Sequence, residues 1–235
     1  MRARSGQGHI ARIVIPLLAV CLALPCAGKP GRAFLGIFGN SGTASPEYDF
    51  PRIRSKRDAN KNGISDTDDF ILGAREETQR RPFYRSAYYR GGYPPDHEGV
   101  CTDVIWRAFR HAGYDLKSMV DADIRANRSA YPRAAKPDPN IDFRRVPNLK
   151  TFFARHGLIL PTRIIPGDRD NLSGWQPGDI VTFTNPDHIA ILSDRRNADG
   201  IPLLLHNDVP VASESDAFML WYDRGITGHY RFPRD

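Results

Sequence analysis

"QPGDIVTFTNPDHIAILSDRRNADGIPLLLHND", Gln176 to Asp208, reads as a strand, a turn, a second strand beginning at His188, a turn marked by Asp199-Gly200, and a third strand. Pairing the second and third strands as an antiparallel hairpin with a loop of about seven residues sets His188 opposite His206, since side chains alternate with period two. Sliding the register by one residue puts Asn207 there instead. In both registers a polar group lands beside the imidazole. A group hydrogen-bonded to an imidazole fixes its tautomer and orientation, which is what a general base requires. Gly178-Asp179 is expected to shape the turn before the first strand, with no catalytic part for Asp179.

Upstream lies "GVCTDVIWRAFRHAG", Gly99 to Gly113. Val104, Ile105, Ala108, Phe109 and Ala112 recur at helical spacing and Gly113 supplies a stop, which predicts a helix over 101–112. Cys101 then stands in the first turn, where free N–H groups and the helix dipole are expected to lower its pKa. "MVDADIRAN" predicts an amphipathic helix with surface aspartates. In "NIDFRRVPNLKTFFARHG", Pro147 opens a helix, Gly157 ends it, and Leu149, Phe152 and Phe153 face the core. Arg144 and Arg145 are expected in salt bridges rather than gripping a ligand carboxylate. His111 and His156 fall in last turns of helices, His229 in a C-terminal strand, and His97 is a reserve candidate in a loop.

The N-terminus decides what a cysteine means. Arg2, Arg4 and Arg12 precede or open the apolar run Ile13 to Leu24, with small residues at Cys26, Ala27 and Gly28. This is the layout of a signal peptide over 1–28, with an uncleaved anchor as the alternative, and it predicts a secreted or periplasmic protein free of the membrane after cleavage. Cys21 and Cys26 leave with it, so Cys101 stays alone in an oxidising compartment, for intermolecular pairing, as a reactive thiol or as a buried structural one. The formal charge of +6 is scattered along the chain, which argues against nucleic acid as a partner. No zinc-ligand spacing, phosphate-binding glycine loop or solenoid repeat occurs in the sequence.

Residues 29–57 read as a flexible linker, 58–83 as a small acidic unit with a helix, and 84–235 as a globular domain. In "DANKNGISDTDD" the side chains of Asp58, Asn60, Asn62, Asp66 and Asp69 and the carbonyl of Ile64 follow the spacing of a calcium loop, with Gly63 at its sharp turn. A structural calcium is expected there; Pro51 argues against a regular entering helix.

The order of helix-starting cysteine, strand-starting histidine and polar residue on the next strand resembles the papain-like cysteine peptidases of the NlpC type, which act on bacterial cell-wall peptides. "EGVCTDVIWRAF", "DADIRAN", "NIDFRRVPNLKTFF", "QPGDIVTF", "HIAILSD", "LLLHN" and "ITGHYRF" resemble, more closely, the family called domain of unknown function 1287, from Tyr84 to Phe232. The wider class carries Asp-Cys-Ser-Gly at the nucleophile, whereas Val100-Cys101-Thr102-Asp103 stands here. The resemblance implies an α+β papain-like domain in which Cys101 attacks an amide carbonyl, His188 relays the proton and His206 or Asn207 orients His188. It implies no cofactor for catalysis, a cell-wall peptide or other amide as substrate, and a substrate-contacting tyrosine among Tyr88, Tyr89 and Tyr93. The rival readings are a peptide-binding module on the same fold and a zinc site of Cys101, His188 and His206.

Overall fold

A computed structural model describes residues 48–235. The expected signal peptide, Cys21, Cys26 and linker residues 29–47 lie outside the described residues. Six helices, α1 (Asp66–Arg80), α2 (Cys101–His111), α3 (Leu116–Ala126), α4 (Val146–His156), α5 (Arg169–Ser173) and α6 (Phe218–Gly225), accompany eight strands. Two are short, β1 (Phe83–Tyr84) and β2 (Glu98–Gly99), and pair in parallel. The others, β3 (Leu158–Ile159), β4 (Ile180–Phe183), β5 (His188–Arg196), β6 (Pro202–Asn207), β7 (Ala212–Ser215) and β8 (Ile226–Arg231), form an antiparallel sheet in the order β3-β8-β4-β5-β6-β7. Among the described residues no helix is long and apolar enough to cross a membrane.

The alternation along β4, β5 and β6 sorts the two faces. Ile180, Ile189, Ile191 and Leu205 share a core with α1, α2, α3 and α4, whereas Val181, Phe183, Ala190, Leu192 and Leu204 pack with Phe218 and Trp221 of α6. Phe109 ties the first core together, with its ring 4.4 Å from Phe70 of α1, 5.6 Å from Phe153 of α4 and 5.2 Å from Phe232. Burying such a ring contributes about 2–3 kcal/mol. Gly113 ends α2 at φ 87°, left-handed backbone that a side chain disfavours.

Phe70, Ile71 and Ala74 of α1 lie in that same core, so the 58–83 stretch is part of the main body and not a unit of its own. The last residues of the expected linker are also held. Tyr48 and Phe50 pack on the α6-side core, Arg52 bridges Asp68 and Asp194, and the Ile53 N–H donates to Gln176 Oε1. As Pro51 predicts, none of the described residues 49–65 is helical.

Asp123 of α3 departs from its expected place on the surface. It is 8% exposed and accepts from Tyr131, Arg155 and Asn127, with His156 at 3.2 Å, because α3 packs against α4 along that face. Its carboxyl is held low, at about 2, the hydrogen bonds from Arg155, Tyr131 and His156 outweighing the largest single influence, burial, which acts upward.

Candidate active site

Cys101 opens α2, and the route into that helix is set by β1 and β2. Tyr84 pairs with Gly99, the Arg85 N–H donates to the Gly99 carbonyl, and the Tyr84 N–H donates to the Pro210 carbonyl. These bonds hold Val100 and Cys101 beside the β6–β7 turn. Asp103 completes the helix start. Its Oδ2 accepts from the Val100 N–H at 2.7 Å, its Oδ1 from Trp106 Nε1 at 2.7 Å, and both oxygens take the Arg144 guanidinium, at 2.7 and 2.8 Å. The pair is buried on both sides, so Arg144 is structural as expected. Asp103 as its anchor is absent from the sequence reading; its position two residues after the cysteine is the only signal for it.

Cys101 lines an open cleft of about 720 Å³ with Tyr84, Thr102, Asp187 and the basic residues Arg133, Lys136 and Arg145. The thiol itself is recessed, the residue being 6% exposed. Burial pushes its pKa up to about 12. Asp103 and Asp208 add to the rise, against the N–H groups of Ile189 and Thr102. Burial, with Asp103 and Asp208, thus moves the thiol in the direction opposite to the lowering expected at the helix start.

His188, the first residue of β5, is 3% exposed. Its Nε2 lies 2.8 Å from His206 Nδ1, and His206 Nε2 lies 2.7 Å from Ser215 Oγ. Trp221 stacks on the His188 ring at 3.9 Å and 7°. Burial holds His188 neutral, well below the ordinary imidazole pKa, with His206 and Arg224 adding to the effect; burial likewise lowers His206. Among the described residues Nδ1 of His188 makes no hydrogen bond. The thiol is close by in the chain path: its sulfur faces the N–H of Ile189, the next residue, and Asp187, the preceding one, lines the cleft with it. No hydrogen bond joins sulfur to ring. The imidazole lies on the α6 face of the sheet and the thiol in the opposite core.

The register differs from the expected one. Ile191 pairs with Leu205 and Leu192 with Leu204, and a bulge follows before Arg196 pairs with Pro202. Continuing that ladder sets His206 across from Ala190, two residues from the expected partner. The loop shortens to residues 197–201, locked by Asn197 Oδ1 accepting from Asp199 and Ile201. A shift of two preserves the face, so His188 and His206 still meet, diagonally. Asn207 points to the other face and donates to the Pro82 carbonyl at 3.5 Å, so it does not orient His188.

The expected tyrosines are also displaced. Tyr89 donates to Glu98, Tyr88 to Asp138, and Tyr93 packs on Trp106 and Phe143. Tyr84 is the one in the cleft with Cys101, placed there by the β1–β2 pairing, which has no local sequence signal. His97 is exposed and reaches the site only through its backbone, its carbonyl accepting from Phe83. Asp179 and His229 bond each other at 2.8 Å, with Arg231 on the same carboxylate, away from the cleft.

The acidic loop folds as a turn locked by its own donors. Asp58 accepts from the N–H groups of Asn62 and Gly63, Asn62 Oδ1 accepts from Ile64, and Gly63 takes φ 87°. Asn60 and Asn62 donate their amides to Asp69, while Asp66 accepts from Ala59 and Tyr114. Among the described residues no group of three or more His, Cys, Asp and Glu side chains is arranged to hold a metal. In the loop the carboxylates of Asp58, Asp66 and Asp69 accept from these donors, and His188 and His206 direct one nitrogen each at the other.

The sequence comparisons agree with this geography. Residues 71–232 match the family described as domain of unknown function (DUF1287), a span that holds every residue lining the cleft. The uncharacterized protein YijF of Escherichia coli (strain K12) is 41% identical over 170 residues, 68% of this chain and 78% of that protein. No solved structure matches. The chain therefore belongs to the DUF1287 family.

Proposed function

We propose that this protein is an exported cysteine-dependent amide hydrolase of papain-like type whose substrate is the peptide part of the bacterial cell wall, with Cys101 as nucleophile and His188 as base. The observation that carries the reading is the chain Ser215, His206, His188, which engages one nitrogen of the imidazole, in the residue preceding the one whose N–H faces the thiol of the cleft.

The chain of hydrogen bonds has one direction that serves catalysis. With Nε2–H of His206 donating to Ser215 Oγ, His206 Nδ1 accepts from Nε2–H of His188, and His188 Nδ1 carries a lone pair. Because the buried thiol and imidazole are both neutral, proton transfer accompanies attack. As the sulfur–carbon bond forms, the thiol proton passes to Nδ1, and the carbonyl electrons collect on oxygen. Collapse breaks the carbon–nitrogen bond, and the imidazolium returns the proton to the leaving amine. Water, deprotonated by the same nitrogen, then cleaves the thioester to a carboxylic acid and restores the thiol. The N–H of Cys101 at the start of α2 is the proposed oxyanion donor. No metal or cofactor takes part.

Purified protein incubated with cell-wall muropeptides should yield fragments whose masses differ from the parent by hydrolysis of one amide. Cys101→Ala and His188→Ala should each abolish the products while leaving the circular dichroism spectrum unchanged. Hydrolysis retained in either variant would sink the reading. The burial of Cys101 favours one other reading, a binding module without turnover. That module would hold muropeptides without cleaving them and would resist thiol-directed electrophiles at neutral pH.

A further inference from the structure

The cleft is charged unequally. Four cationic side chains line it, Arg133, Lys136, Arg144 and Arg145, against one carboxylate, Asp187. Two of the four are neutralised inside the protein: Arg144 by Asp103, and Arg145 by Asp142 at 2.9 Å. Arg133 and Lys136 are exposed and make no ion pair among the described residues. The excess is directional, because Asp187 stands next to His188 at the thiol end, and Asp208 also acts on Cys101. The cations also extend beyond the cleft. A second hollow of about 490 Å³ shares Pro132 and Pro147 with the first and carries Lys150 on its wall. The two hollows thus adjoin at Pro132 and Pro147, the second lying beyond the first as seen from Cys101.

A concave surface with one sign of unpaired charge focuses its field and selects the opposite charge on what enters. A solvated basic patch with no ligand would have no reason to follow the groove that begins at the thiol. We infer that the groove takes an extended peptide bearing carboxylates, with Arg133 and Lys136 holding them on the side away from the scissile amide and Lys150 reaching a carboxylate farther along. This deepens the functional proposal above and rests on its reading of the cleft as the substrate site. Carboxylates on a peptide, and not phosphates, are the expected anions because the groove starts at the thiol proposed above to attack an amide.

The test reads binding, not turnover. The full chain carrying Cys101→Ala is titrated into a dye-labelled octapeptide of alternating Glu and Gly, the same peptide with Gln for Glu, and a single-stranded oligonucleotide of eight bases. The Glu peptide should bind about tenfold more tightly than the Gln peptide at low salt, as expected for a few exposed charge contacts. R133Q/K136Q should erase that preference, and R133E/K136E should reverse it toward a Lys peptide. Equal binding of the Glu and Gln peptides, or a preference that survives R133Q/K136Q, would overturn the inference. Tighter binding of the oligonucleotide than of the Glu peptide would also overturn it, in favour of a phosphate polymer. Since the titrated protein lacks the thiol, an inert Cys101 would leave these results standing, and an active thiol without the charge preference would refute this inference alone.

Discussion

Two buried histidines of the same sheet have nearly the same surroundings and opposite prospects. His188 on β5 stacks on Trp221 at 3.9 Å and 7°; His229 on β8 stacks on Trp175 at 4.1 Å and 4°. Both are almost fully enclosed. His229 has both nitrogens occupied, Nδ1 by the Pro161 carbonyl at 2.9 Å and Nε2 by Asp179 at 2.8 Å, and Arg231 closes the carboxylate. His188 has one nitrogen held and the other unpaired, at the start of a strand that borders a cleft. Burial and aromatic stacking therefore do not distinguish a reactive histidine from a structural one. Under the proposed function the nitrogen without a protein partner does, because only a ring with a lone pair to offer can take a proton.

Substitutions at the two rings should separate the roles most sharply. His188→Ala should lower turnover on muropeptides by about 10³-fold or more, the scale of losing a nucleophile's base, whereas His229→Ala should leave turnover per folded molecule unchanged. Matched losses at both positions would erase the distinction. A next, smaller effect lies under His229. Asp179→Asn should lower unfolding stability in urea by about 3 kcal/mol, because Arg231 keeps its buried setting without an anionic partner. A loss within about 0.5 kcal/mol would show that the cluster is not the brace it resembles.

The smallest effect is a pH slope. Burial depresses the pKa of His188 and His206 in the folded state, so below the ordinary imidazole value of about 6.5 the unfolded chain binds more protons than the folded one. This contribution to stability is complete above that value and is lost as the pH falls below it. Urea midpoints measured from pH 8 to pH 5 should decline on the acid side, and the decline should flatten in His188→Gln/His206→Gln. An unchanged slope in that variant would assign the acid sensitivity to carboxylates instead.

Much of the site was legible in residue order. The helix over α2 followed from apolar spacing and a terminal glycine, the strands from their β-branched runs, and the meeting of His188 with His206 from period-two alternation, which tolerates a register error of two. The identity of the polar neighbour was not legible, because His206 and Asn207 differ by one residue and the register that decides between them is set by the pairing of Ile191 with Leu205, which has no mark in the sequence. Nor was the partner of Arg144: Asp103 lies 41 residues away, and such a pair is visible only once the chain has folded back.

From the sequence alone came the element types, the sheet's antiparallel sense and the small set of residues able to do chemistry, since these depend on spacing and side-chain type within a few turns of chain. Tertiary structure decided the protonation of that set. A thiol at a helix start is expected to ionise readily when water reaches it, and here packing removes the water and brings Asp103 and Asp208 near, which lifts the thiol to about 12. Solvation is a property of the whole packed surface, so no local stretch of sequence encodes it.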